Sequence, residues 1–248
     1  MLEGLSSVPD SWERVEIEEV LDFLENGNTL QQGWSPRCER EPSTDESSWG
    51  VLKTTAIQVG EFQPEHNKRL PESLKPKPHI EVKQGDILMT CAGPRSRCGV
   101  ACLVRKSRKK LIMSGKMYRF RSDNNRVLLK YLELFLHTQE AQVSIDKMKT
   151  GINDSGLNLT HDRFRKLVVS IAPTKEQHRI VAKIEELFSE IDKGVESLET
   201  AKAQLQVYRQ ALLKHAFEGK LTAQWRADNP DKVVPAEQLL EQIKQARE

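Results

Sequence analysis

In the stretch "IEVK", Glu81-x-Lys83 has the carboxylate and lysine spacing that many metal-dependent nucleases use, with Pro9-Asp10 far upstream as its nominal partner. Alternation along "HIEVKQGD" puts both side chains on one face of a strand, and a solvated charged face accounts for them more simply. Cys91, Cys98 and Cys102 offer thiol donors for zinc, but no nearby His supplies a fourth ligand. Buried thiols are the better reading, and with Cys38 they make four free cysteines rather than a disulfide scaffold. "CAGPRSRCG" combines glycines with basic residues but lacks the G-x-x-x-x-G-K-[ST] order that cradles phosphates. Neither G-x-S-x-G nor H-E-x-x-H occurs, and His161 and His178 stand alone, so the sequence offers little for catalysis.

Binding of a polyanion is better supported. Arg95, Arg97, Arg105, Lys106, Arg108, Lys109 and Lys110 fall within 16 residues, mostly where turns are expected, and Lys116, Arg119 and Arg121 follow in alternation. No acid interrupts residues 95 to 121, so the stretch is expected to face DNA as one basic strip, with arginines and nearby Asn or Gln reading bases and the rest touching phosphates. Lys53, Thr54, Lys149 and Asn153 complete the expected DNA-binding set. The net charge of +2 conceals this, because residues 1–50 hold 3 Lys/Arg against 12 Asp/Glu, residues 51–170 hold 23 against 11, and residues 171–248 hold 12 against 13. A +12 centre in a near-neutral chain suggests a surface for nucleic acid.

The elements that must hold these residues are those of an α+β, strand-rich domain. A short helix is expected around Ile17 to Leu24, ending at Asn26-Gly27. Strands are expected in "VLKTTAIQV", after the Gln84-Gly85-Asp86 turn, and in "CGVACLV", "LIMSGKMYRF" and "RKLVVSIAP". One helix is expected in "RVLLKYLELFLHTQEA". At residue 172 the periodicity changes. Thr174-x-x-Gln177 has the form of a capping box, and Ile180, Ile184, Leu187, Ile191, Gly194, Leu198, Ala201, Leu205, Tyr208, Leu212 and His215 then recur every 3.5 residues. Such a seam requires a second helix to cover it, and Gly219 supplies the stop. "PAEQLLEQIKQARE" forms a final amphipathic helix, able to fold back on the long one or to meet a partner. The expected domains are therefore residues 1–172 for recognition, 173–219 for the coiled-coil spacer and 220–248 for a tail. No apolar run is long enough to cross a membrane and the N-terminus does not look like a signal peptide, so the expected location is the cytoplasm.

Several segments together resemble the specificity subunit of type I restriction-modification systems. "SIAPTKEQHRIVAKIEELFSEID" is similar to the Pro-containing turn, Glu-Gln pair and long helix that open the family's spacer regions, and "LLKHAFEGKLTAQWR" resembles the end of that helix. "PDSWERVEIEEV", "WGVLKTTAIQVGEF", "VKQGDILMTCAG" and "TGINDSGLNLTHDRFRKLVVSIAP" resemble parts of its recognition domain. The resemblance implies a DNA-reading chain with no active site or cofactor of its own. It also implies a modification subunit that methylates adenine N6 with S-adenosylmethionine, and a restriction subunit using ATP and magnesium. Family members ordinarily carry two recognition domains and two spacer helices, whereas this sequence has one of each. It therefore looks like a half subunit, expected to form an antiparallel homodimer through Ile180, Ile184, Leu187, Ile191, Gly194, Leu198, Leu205, Tyr208 and Leu212 and to read a split palindrome. The other class left open is a stand-alone DNA-binding adaptor or repressor, with metal-dependent cleavage a minor option.

Overall fold

The computed structural model describes residues 7–123 and 125–247. The chain divides into two compact units, Met1–Ile184 and Glu185–Glu248. Among the described residues the first contains thirteen short strands: β1 (Glu13–Glu16), β2 (Gln31–Gln32), β3 (Gly50–Leu52), β4 (Ile57–Gln58), β5 (Glu61–Phe62), β6 (Asn67–Arg69), β7 (Ile87–Thr90), β8 (Ala92–Gly93), β9 (Ala101–Leu103), β10 (Leu111–Ile112), β11 (Met117–Phe120), β12 (Leu157–Asn158) and β13 (Val168–Ile171). Its helices are α1 (Leu129–Leu136), α2 (Gln139–Met148) and α3 (His161–Phe164), and the start of α4 (Thr174–Phe217) also belongs to it.

An antiparallel sheet in the order β2-β11-β7-β9 lies at the centre. Both of its faces are covered, because side chains alternate between two cores. Ile87, Met89, Ala101, Tyr118 and Phe120 join Leu132, Leu136, Ile145 and Phe164 in one. Leu88, Cys102 and Met117 join Leu52, Ile57, Leu111 and Met113 in the other, beneath the small sheet β10-β3-β6. This double covering explains why the strands read as continuous apolar runs rather than as half-polar ones. β1 pairs with β13, from Glu13↔Ile171 to Glu16↔Val168, and so brings the start of the unit against the strand that precedes α4.

The local expectations hold in part. Gly85 takes φ +87°, and the Asp86 carboxylate accepts a 2.7 Å bond from the Lys83 N–H, closing the expected turn. The helix expected over Ile17 to Leu24 is only a 3-10 turn, Ile17–Val20. The helix expected over residues 126–141 is two, because the Thr138 hydroxyl accepts from the Ala141 N–H and starts α2 anew. α4 begins at Thr174, but the capping box does not form. The N–H groups of Glu176 and Gln177 are taken by the Pro173 carbonyl, and the Gln177 amide is committed elsewhere.

In the second unit α4 runs to Phe217 and stops where Gly219 adopts φ +73°, a left-handed conformation natural to glycine. Arg226 fixes the stop, donating 2.7 Å bonds to the Gly219 carbonyl and the Thr222 hydroxyl. α5 (Ala223–Asp228) and α6 (Ala236–Gln245) follow. Leu187, Ile191, Leu198, Leu205, Tyr208 and Leu212 are all exposed, as are Leu239, Leu240 and Ile243 of α6. α6 therefore does not cover the seam of α4. Among the described residues no helix is long and apolar enough to cross a membrane.

Candidate nucleic-acid interface

Sheet register decides where each basic side chain goes. Met117 pairs with Thr90 and Ala101 with Met89, so β7 leaves the sheet at the end where β9 and β11 enter it. Four connections gather there. The Cys91 N–H donates to the Lys116 carbonyl (2.9 Å), which sets the turn before β11 beside the exit of β7. The loop that follows, around Arg95 and Arg97, is then pinned on two sides. Arg97 donates to the carbonyls of Thr54 (2.5 Å) and Ile57 (2.6 Å) and to the Gln58 amide oxygen (3.2 Å). On the other side the Arg95 N–H donates to the Asp154 carbonyl (2.8 Å), and Lys149 Nζ donates to the Arg95 carbonyl (3.0 Å). Pairing of β8 with β12 ties the same two loops together at their bases.

Lys53, Thr54, Arg95, Arg97, Lys116, Lys149 and Asn153 therefore belong to one loop cluster, although they span a hundred positions of sequence. Their roles within it differ. Lys53, Lys116 and Asn153 are exposed. Arg95 is exposed but ion-paired to Asp146 (2.6 Å) and Asp154 (3.0 Å), with the Asp154 bond foremost in raising its pKa. Solvent-exposed pairs of this type are readily exchanged for another anion. Lys149 is held by Asp146 (2.9 Å), and Arg97 acts as a clasp between loops, with its guanidinium occupied by main-chain oxygens.

The continuous basic strip expected over residues 95–121 does not exist. Arg105, Lys106, Arg108 and Lys109 follow β9, at its far end from Arg97. Arg105 pairs with Glu133 (2.6 Å), which is 1% exposed. Arg108 donates to the Ser43 carbonyl (2.7 Å) and hydroxyl (2.9 Å); burial pulls its pKa down while Asp45 and Glu46 oppose the shift. The Lys109 N–H donates to Glu46 (3.3 Å). Lys106 and Arg108 line a cavity of about 730 Å³ that also holds Glu46 and Glu65. Arg119 is the clearest correction: on a central strand and 4% exposed, it donates to the carbonyls of Glu81 (2.6 Å) and His79 (3.1 Å), to Gln31 and to Asp86 (3.4 Å). Arg121 pairs with the same fully buried Asp86 at 2.6 Å. The acids missing from the linear stretch come from Asp86, Glu133, Asp45 and Glu46.

Glu81 and Lys83 do not form a shared site either. Glu81 accepts from the Lys110 N–H (2.5 Å) and Lys83 pairs with Glu25 (2.6 Å). Among the described residues no group of three or more His, Cys, Asp or Glu is placed to hold a metal. Cys91, Cys98 and Cys102 are buried free thiols, and burial pushes those of Cys91 and Cys102 up to about 12. Two amides that sequence reasoning missed, Gln32 and Gln58, stand in the loop cluster. Gln32 donates to the Gly115 carbonyl (2.6 Å), and Gln58 bridges Thr55 and Arg97. Only strand register could have placed them.

Comparison with known proteins gives one consistent result. The sequence model of a family described as the type I restriction modification DNA specificity domain matches residues 9–200. The chain is 38% identical over 194 residues to the EcoEI specificity subunit of Escherichia coli, covering 78% of this chain and 32% of that protein. With the EcoKI specificity subunit of Escherichia coli strain K12 it shares 28% identity over 242 residues, 95% of this chain and 49% of the relative. The chain thus spans from a third to a half of these relatives. A structure from work on complex assembly and conformational transition of the type I R-M system superposes with TM-score 0.61 at 18% identity, over 87% of this chain and 48% of that one. The HsdS subunit of Thermoanaerobacter tengcongensis superposes with TM-score 0.53 at 18% identity, over 78% and 46%. These two likenesses concern the fold: strands followed by a long helix.

Proposed function

The chain belongs to the type I restriction modification DNA specificity family, and from that membership we propose that it reads double-stranded DNA through the loops gathered around Arg95 and Arg97. The observation that carries this assignment is the convergence of four connections at one end of the central sheet, each bringing a cation or an amide. Lys53, Lys116 and Arg95 bind phosphates. Thr54 and Asn153 reach base edges, and Arg97 holds their loops in register. Such a division suits a surface where phosphate binding positions the protein and a few polar groups select the sequence. Catalysis lies with partners: a modification subunit using S-adenosylmethionine and a restriction subunit using ATP and magnesium.

The exposed seam of α4 is covered by α4 of a second copy, running antiparallel. Charge favours that direction. Residues 185–199 hold six Asp/Glu against one Lys, whereas residues 200–217 hold three Lys/Arg and no acid. Antiparallel pairing sets −5 against +3 at both ends, and parallel pairing sets like against like. One register places Leu187 opposite Leu212, Ile191 opposite Tyr208, Gly194 opposite Leu205 and Leu198 opposite Ala201, so that each of the two small residues faces a leucine. A twofold pair of this kind presents two recognition domains to a split palindromic site.

The test compares two double variants in DNA binding across a salt series. Lys53→Ala/Lys116→Ala should weaken binding to all sequences and reduce the magnitude of the salt slope by about 0.9 for each phosphate no longer neutralised. Lys106→Ala/Lys109→Ala should leave slope and affinity near those of the parent. The opposite pattern would move the interface to the far end of β9.

A further inference from the structure

The loop between Thr150 and Asn158, within the first compact unit, treats its two aliphatic side chains in opposite ways. Leu157 is buried, whereas Ile152 is 101% exposed, as open to solvent as in an extended peptide. Among the described residues of that unit no large apolar side chain is more exposed, and Phe23 follows at 73%. The loop is nonetheless closely tied. Thr150 and Asn158 each donate an N–H to the other's carbonyl at 2.7 Å, and the Gly156 N–H donates to the Asn153 carbonyl (3.0 Å). Pairing of β12 with β8 fastens the returning limb. Arg95 grips the tip, donating its N–H to the Asp154 carbonyl (2.8 Å) and its guanidinium to Asp154 Oδ1 (3.0 and 3.2 Å). Gly151, at φ +147°, lets the two limbs close, because a Cβ there would stand 2.8 Å from the Gly156 carbonyl oxygen and 2.9 Å from Leu157 Cδ2. The loop is thus shut beneath Ile152, and Ile152 stands outside it.

Single exposed apolar side chains are common on protein surfaces and by themselves need no ligand. Here composition and place both argue for one. In "GINDSG" every residue except Ile152 is a turn former, so turn chemistry does not account for a β-branched side chain at that position. In space the loop adjoins the segment around Arg95, and in sequence Ile152 adjoins Asn153, an exposed amide. A DNA duplex offers this surface charged phosphates and polar base edges, and on the major-groove edges of the bases the apolar group is the 5-methyl of thymine. We propose that Ile152 is a specificity-determining residue that packs on a thymine 5-methyl group, beside the base edge that Asn153 reaches. The spacing fits, because successive Cα atoms lie about 3.8 Å apart and base pairs rise by about 3.4 Å. Side chains 152 and 153 therefore meet one base pair or two adjoining ones. An asparagine amide matches adenine N6 and N7, so the two residues together favour A·T pairs at that part of the site. The contact also removes from water the apolar side chain that the fold leaves uncovered.

This inference rests on the DNA-reading function proposed above, and its test separates the two. The full chain first selects its site from a pool of random-sequence duplexes. Each thymine of the selected duplex is then replaced in turn by deoxyuridine, which removes the 5-methyl group and leaves base pairing intact. Binding is measured for the parent and for Ile152→Ala. The parent should lose about fourfold in affinity at one thymine, the worth of about one buried methyl group. Ile152→Ala should bind the thymine duplex about tenfold more weakly than the parent and be indifferent to uracil at that same position. A side chain outside the core predicts an unchanged unfolding midpoint in urea for the variant, and a clear fall would make Ile152 structural and overturn the proposal. A parent indifferent to every replacement, or an Ile152→Ala variant that loses as much as the parent at the same thymine, overturns the thymine contact while DNA reading stands. A parent that selects no sequence refutes the function proposed above, and the thymine contact with it.

Discussion

Arg119→Met distinguishes an interior arginine from a DNA-binding one. The side chain is 4% exposed and its guanidinium serves four partners: the His79 and Glu81 carbonyls, Gln31 and Asp86. Methionine keeps much of the apolar stem but returns none of those bonds. Each buried carbonyl left without a donor costs about 1–3 kcal/mol. Asp86 keeps Arg121 at 2.6 Å and the Lys83 N–H at 2.7 Å, so its carboxylate is weakened in support rather than abandoned. A loss of about 3–5 kcal/mol is therefore expected, in line with removal of one member of a buried pair. Since small domains have about 5–15 kcal/mol in total, that is a large share. The assay is urea unfolding followed by tryptophan emission, alongside DNA binding across a salt series under native conditions. The unfolding midpoint should fall steeply while the salt slope stays that of the parent. Unchanged stability with a slope lower in magnitude by about 0.9 would refute the interior role and put Arg119 on a phosphate.

Insertion of four residues near Gly194 lengthens α4 by about 6 Å, and at about 3.4 Å per base pair the preferred gap should grow by one or two base pairs in mapped methylation sites. A two-residue insertion turns the seam by about 200° and should abolish pairing in analytical ultracentrifugation. Thiol labelling of the native chain should modify Cys38 well before Cys91 and Cys102, whose burial raises them to about 12, with the three buried thiols of Cys91, Cys98 and Cys102 reacting only on unfolding. His161 packs on Tyr118 at 4.3 Å, its Nε2 lacks a hydrogen-bond partner, and burial lowers its pKa. The unfolded chain then binds more protons below the ordinary histidine range, so stability should fall as pH drops through about 6.5 and below. His161→Phe should flatten that slope in thermal unfolding. The purified chain should neither cleave nor methylate DNA, measured with magnesium, ATP and S-adenosylmethionine present.

Much of the frame was legible because local rules dominate it. The 3.5-residue repeat and Gly219 mark the extent of α4, and Gly85 marks the turn before β7. The basic strip was not legible. Alternation on a strand says which side chains share a face, but only the order β2-β11-β7-β9 shows that β11 is central and that Arg119 faces a core. A count of charges along residues 95–121 also cannot see Asp86 or Glu133, which reach the arginines through folding. Gln177 fits a capping box by spacing. Its burial follows from the heptad position it occupies where the helix meets α1, a tertiary circumstance that no local rule contains.

The pairing of β1 with β13 bears on the order of events during synthesis. Glu13 waits for Ile171 before its strand has a neighbour, and at about 5–20 residues per second the ribosome takes roughly 8–30 s to bridge that interval. Until then Val169 and Leu167 are not there to close the core that Ile17 and Tyr131 line. The strand that completes the domain is followed within three residues by α4, whose 44 residues need only about 2–9 s more. A nascent chain therefore finishes its recognition unit and exposes the apolar seam of α4 almost together.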